Sequence, residues 1–138
     1  MNITGNKHIT DWIAEVAAKA KPDRIVWIDG SEKQLEELRE LAVKSGSMIK
    51  LNEEKLPNCF LHRTDPDDVA RVENRTYICC KNEEDAGPTN HWMEPSAMYK
   101  KLDGILEGSM KGRTMYVIPY SMGVIGSPFA KYGIELTD

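Results

Sequence analysis

Residues 112–138, GRTMYVIPYSMGVIGSPFAKYGIELTD, restrict the fold more than any other stretch of the chain. Thr114 to Ile118 is β-branched, aromatic and Met-containing, the composition of a pleated and largely buried strand. Pro119 removes a backbone donor, so the strand is expected to lie at an edge, to kink or to end there. Gly123, Gly126 and the pair Ser127-Pro128 predict a tight irregular loop, because glycine enters positive φ freely and proline restricts the residue before it. A second strand follows at residues 132–136. A closing strand with no partner after it leads us to expect further polypeptide beyond Asp138.

The upstream pattern is mixed. Residues 11–20 predict an amphipathic helix with Thr10 as N-cap, Trp12, Ile13, Val16, Ala17 and Ala20 on one face, and Pro22 as its stop. Residues 25–28 (IVWI) are a short apolar run, read as a buried strand. Ser31 and Gln34 form a capping box that opens a second helix. Leu35, Leu38, Leu41 and Ala42 line its inner face, four glutamates its outer face, and Gly46 ends it. Further strands are expected at residues 48–51, 59–62 and 76–80. Asp65-Pro66, followed by acids, is a helix start with room for two turns. Residues 81–90 read as an exposed loop, and Glu94-Pro95 starts a third helix with Met98, Leu102, Ile105 and Leu106 on one face. The expected class is α/β (mixed α+β), a mixed sheet of five or six strands flanked by three main helices.

Composition removes several functions. The chain has 138 residues, room for one domain with a real core, and is 41% hydrophobic and 29% charged. No apolar run approaches the ~20 residues of a membrane span, and residues 1–10 lack the apolar stretch of a secretory signal. A net charge of −4 argues against a nucleic-acid partner. Cys59, Cys79 and Cys80 make no disulfide framework, and with His8, His62 and His91 they give no zinc spacing; reduced cytosolic thiols are the expectation. No GxGxxG follows the first strand, and GSMKGRT at 108–114 fails the Walker pattern. Taken separately, these parts name no reaction.

Longer stretches do. PDRIVWIDGS, LPNCFLHRTDPDDVARVENRTYICC, EDAGPTNHWMEP, GRTMYVIPYSMG, GSPFAK and GIELTD occur in order from about Thr10 to the last residue. The set closely resembles the N-terminal region of GTP-dependent phosphoenolpyruvate carboxykinases, in their bacterial and archaeal branch. Val124-Ile125 depart from the proline and small or apolar residue expected after SMG, which touches loop shape and not chemistry. The resemblance implies that residues 1–138 are the N-terminal part of a larger two-domain enzyme. It implies the conversion of oxaloacetate and GTP to phosphoenolpyruvate, carbon dioxide and GDP, a gluconeogenic lyase reaction with a divalent ion, Mn2+ or Mg2+, as Lewis acid. It also implies that the phosphate loop, metal ligands, guanine pocket and lid lie beyond residue 138. The chain alone is then expected to be inactive and to hold no cofactor.

One site residue carries over. In DVARVE the family places an arginine, here Arg71, against a carboxylate of oxaloacetate or phosphoenolpyruvate. A planar guanidinium suits a bidentate grip as an ammonium does not. Glu73 matches an acid associated with coupling substrate occupancy to lid closure. The residues also allow a plainer account, because Asp67 and Arg71 at i, i+4 on a short helix make a surface ion pair worth ~0.3–0.5 kcal/mol. Arg113 and Lys111 read as solvated, Trp27 and Trp92 as core, and residues 123–128 as a structural turn and not an anion nest. The expected partners are the small-molecule substrate and the remainder of the same enzyme, with self-association of the chain through an unpaired strand as a further expectation. A stand-alone dicarboxylate-binding module and a ligand-free interaction domain remain the alternatives.

Overall fold

The computed structural model describes residues 4–68 and 72–138. Its elements are α1 (Lys7–Ala20), β1 (Arg24–Trp27), α2 (Glu32–Ser45), β2 (Ile49–Lys50), β3 (Phe60–Leu61), β4 (Tyr77–Ile78), β5 (His91–Trp92), α3 (Pro95–Leu106), β6 (Thr114–Met122) and β7 (Lys131–Thr137). The mixed α/β class with three helices is as expected. The strands divide into a three-stranded mixed sheet, β1-β6-β7, an antiparallel ladder β2-β3 and a parallel ladder β4-β5. The ladder strands are two residues each because Asn52, Pro57 and Asn58, or Gly87 and Pro88, interrupt the extended backbone on either side. Contacts separate the chain into two compact units, Met1–Asp29 with Thr76–Asp138, and Gly30–Arg75.

The first unit is built on β6, which runs four residues further than expected and passes through Pro119. The register explains how a central strand tolerates proline. Val117 O accepts from Ile28 N–H at 2.9 Å, so Val117 faces the β1 side, and Pro119, two residues on, faces the same way. The β1 pairing ends at Trp27↔Val117, so the missing donor of Pro119 points where no strand needs it. On the other side, β7 pairs along Tyr116↔Thr137 to Met122↔Lys131. Met115 and Val117, alternate residues on one face of β6, are fully buried. Val117 packs with Ile13 of α1 and Trp27 of β1, bordered by Ile9, Ile134 and Leu136. At ~1.5–3 kcal/mol per fully buried side chain, these few contacts dominate the unit's stability.

The helix α1 starts at Lys7, four residues before a cap at Thr10 would allow. Asn6 is the N-cap, its side-chain oxygen accepting from His8 N–H at 3.0 Å. The buried face is Ile13 and Ala20 with Val16 and Ala17 beside it, while Trp12 is exposed at its edge. Lys21, in the left-handed region at φ 56°, turns the chain. The orphan carbonyls of Lys19 and Ala20 accept from Gly108 N–H at 2.8 Å and Met110 N–H at 2.9 Å in the loop after α3. Lys19 Nζ bridges Glu15 at 3.0 Å and Asp103 at 2.9 Å, and Lys21 pairs with Glu107. Residues 81–90, expected as a plain loop, contain a 3-10 turn over Glu83–Ala86 and bury Ala86.

The second unit is held by local signals. Ser31 Oγ accepts from Gln34 N–H at 3.2 Å, and Gly46 at φ 83° ends α2, both as expected. The inner face expected for Leu35, Leu38, Leu41 and Ala42 is not buried: α2 has no buried residue. Among the described residues of this unit, the only strands are those of the two-residue β2-β3 ladder. The Arg39 guanidinium lies 6.0 Å from the Phe60 ring centroid, and His62 Nδ1 lies 2.7 Å from Ser47 O.

Candidate functional site

The segment expected to hold substrate follows β3. Pro66 and Asp67 form a turn in which Asp65 Oδ1 accepts from Asp67 N–H at 2.8 Å, and Asp65 O accepts from Asp68 N–H at 2.9 Å. The aspartate thus satisfies a donor beyond the proline, as a helix start would, and the two-turn helix expected to follow falls largely on residues 69–71, outside the described residues. Arg71 lies outside the described residues, together with Val69 and Ala70. So does the Asp67–Arg71 pair. The chain continues at Val72, whose carbonyl accepts from Arg75 N–H at 3.1 Å to close a 3-10 turn over Glu73–Arg75. Glu73 opens that turn and is exposed.

The remaining candidates resolve into structural roles. Arg113 pairs with Asp138 and donates to Ser109 O at 2.7 Å. Trp27 is in the core, and half-buried Trp92 donates its indole N–H to Cys80 O at 3.0 Å. In the 123–130 loop, Ser127 N–H donates to Val124 O, Ala130 N–H to Ser127 O and Gly126 N–H to the Tyr132 hydroxyl. Amides committed inside the loop leave it a structural turn. His91 tilts against Tyr77 with ring centroids 5.7 Å apart, and Lys101 lies 5.3 Å from the Tyr77 ring centroid. Among the described residues no three His, Cys, Asp or Glu side chains gather as a metal site. Among the described residues no helix is long and apolar enough to cross a membrane.

One feature of the first unit escaped sequence reasoning. Trp12, Trp27, Pro119, Tyr120, Tyr132 and Ile134 line an open apolar groove of about 530 Å3. It exists because Tyr120 pairs across the hairpin with Gly133 and lies over it. A Cβ built on Gly133 would meet the Tyr120 hydroxyl oxygen at 2.5 Å. The pairing of a strand glycine with a cross-strand aromatic was the available signal.

Residues 11–138 match the family model described as phosphoenolpyruvate carboxykinase N-terminal domain. The chain belongs to this family. It is 53% identical over 135 residues to a protein named phosphoenolpyruvate carboxykinase (GTP) from Anaeromyxobacter dehalogenans strain 2CP-C, covering 98% of this chain and 23% of that protein. Proteins of the same name from Corynebacterium efficiens and Neocallimastix frontalis are 50% and 54% identical, over 98% and 96% of this chain and 22% of each of theirs. The chain thus spans under a quarter of the length of these carboxykinases. The carboxykinase match includes residues 65–75, so it supplies the family context for Arg71 and Glu73.

Proposed function

We propose that this chain is the substrate-side segment of a cytoplasmic, GTP-dependent phosphoenolpyruvate carboxykinase, which converts oxaloacetate and GTP to phosphoenolpyruvate, carbon dioxide and GDP. The observation that carries the reading is collinear identity of 50–54% with proteins bearing that name, over nearly the whole chain. Three free cysteines, two of them exposed, support a reducing compartment. Arg71 grips a substrate carboxylate. Its two parallel N–H donors fix the carboxylate plane as well as its position, which holds the reacting carbon in register for loss of carbon dioxide. Glu73, two residues on, links that occupancy to closure of the site.

The described side chains fit neither the Mn2+ or Mg2+ ion nor the GTP of such an enzyme. They offer no cluster of metal ligands, and no glycine-rich phosphate cradle occurs in the sequence. Those groups belong to polypeptide outside the matched region, and the 138 residues alone turn over no substrate. The test is kinetic. When this chain replaces the matching region of the Anaeromyxobacter enzyme, Arg71→Lys raises KM for oxaloacetate and lowers kcat. Loss of a charge-assisted bidentate contact of ~1.5–3 kcal/mol lowers kcat/KM by roughly 10- to 100-fold. Unchanged kinetics would remove Arg71 from the site. Oxaloacetate-dependent GDP formation by the 138 residues alone would refute the division of labour.

A further inference from the structure

Residues 114–130 contain no charged side chain, in a chain that is 29% charged. The second half of that run is the tip of the β6–β7 hairpin, and it is bare. Met122 is 66% exposed, Val124 78%, Ile125 80%, Phe129 86% and Tyr132 67%. At roughly 150 Å2 exposed for each side chain of this size, they amount to on the order of 700 Å2 of surface, above the ~300–600 Å2 of the largest patch on an ordinary monomer. The loop at 81–90 shows what a solvent-facing loop of this chain looks like, with Lys81, Glu83, Glu84 and Asp85 within five residues.

The hairpin is also anchored. Gly126 N–H donates to the Tyr132 hydroxyl, Ser121 Oγ donates to Gly123 O at 3.1 Å, and two successive turns close on Val124 O and Ser127 O. Its shape is therefore set from within, while its apolar side chains face outward. Tyr120 and Tyr132 continue the same surface into the groove beside α1. Among the described residues, no strand pairs with the far side of β7. An uncovered strand edge next to an uncharged apolar tip is a surface made to be covered.

We propose that the β6–β7 hairpin, with the groove at its base, is the seat on which the rest of the carboxykinase polypeptide packs. The inference rests on the function proposed above. The occupant follows from length: the matched region is 22–23% of each relative, so more than three-quarters of their polypeptide lies outside it. An apolar seat whose loop is hydrogen-bonded from within, next to a free strand edge, suits a permanent intramolecular contact, which buries apolar surface more fully than a transient one.

Hydroxyl-radical footprinting of Met122, Phe129 and Tyr132 tests this, comparing the 138-residue chain with the chimeric enzyme that carries it. Oxidation at the three sites should be about fivefold slower or more in the chimera. Equal rates in an active chimera overturn the proposal while leaving the carboxykinase reading intact. Slow oxidation in an inactive chimera supports it and fails that reading instead. Protection in the isolated chain that grows with concentration, with dimers in sedimentation, assigns the seat to a second copy and also overturns it. Phe129→Asp gives an independent check. It should leave the melting midpoint of the isolated chain in place and lower that of the chimera by about 5 °C or more. Equal shifts in both proteins, or none in either, count against the seat.

Discussion

The two units of the chain reach order by different routes. The first contains every buried hydrophobic residue among those described, and three of them, Ile13, Trp27 and Val117, form one cluster on the β1-β6-β7 sheet. In the second, α2 buries nothing and the ladder beside it is two residues long, so caps, turns and ion pairs set its shape. The residue we assign to substrate lies at the end of the second unit, and the motif that identifies the family most readily lies in the first. On that proposal, packing and substrate contact are carried by different parts of the sequence. A segment with little core of its own suits a substrate grip, because elements that move on binding come from the low-stability end of a protein.

The largest expected effect sharpens this contrast. Met115→Ala or Val117→Ala removes side chains at 0% exposure and should cost about 2–4 kcal/mol, read as a lower urea midpoint for the first unit. Leu41→Ala, at 48% exposure on α2, should cost under about 1 kcal/mol. Comparable losses at the two positions would show that α2 has a core partner and would erase the distinction.

A smaller effect tests the claim that local signals hold the second unit. Ser31→Ala leaves the Gln34 N–H without its side-chain acceptor and should cost about 1 kcal/mol, with fraying confined to the start of α2. Amide exchange across residues 32–36 reads it directly, and unchanged protection there would mean that the cap is redundant.

What the sequence disclosed follows the same division. Signals that act within four residues were legible: the Ser31 cap, the Gly46 stop, the Glu94-Pro95 start and the strand beginning at Thr114. Features that depend on a distant partner were not. The run of β6 through Pro119 depends on where β1 stops pairing; the Asn6 cap, two residues from the His8 amide it serves, is a local signal that was nonetheless missed. Residues 91–92 form a strand only because Tyr77–Ile78 lie alongside, and the stripe on α2 forecast a buried face that its unit does not supply. For the site, physical pattern alone left Arg71 as one half of a surface pair. The substrate role proposed for it rests on the family motif, and of that segment the described residues include Glu73 and the turn at Asp65.

Gly133→Ala probes the groove without touching the core. The backbone there is not in the left-handed region, so the new Cβ meets only the end of the Tyr120 ring, which can rotate away. Stability should change by less than about 1 kcal/mol, while the Tyr120 ring resonances shift as the ring leaves its place over residue 133. A loss larger than that would mean Tyr120 is pinned and the groove is rigid.

The smallest effect is a pH dependence at α3. Glu94 caps the helix, accepting from Ala97 N–H at 2.8 Å and from the Ser96 hydroxyl, and these bonds, that from the Ser96 side chain foremost, hold its carboxyl below the usual glutamate range. Glu107, at the other end, is held down by Lys21. A carboxyl depressed in the folded state stabilises it fully above the unfolded value of 4.5 and loses that contribution as pH falls through the lower, folded value. Both groups are fully exposed, so the change should be local and not a global unfolding. The Ala97 amide reports it. Its exchange protection, corrected for the intrinsic pH dependence of exchange, should fall on acidification below that range in the native protein. In Glu94→Gln it should be weaker at neutral pH and indifferent to acid. If the variant and the native protein lose protection over the same pH interval, the acid sensitivity of α3 arises elsewhere and Glu94 is a cap by geometry alone.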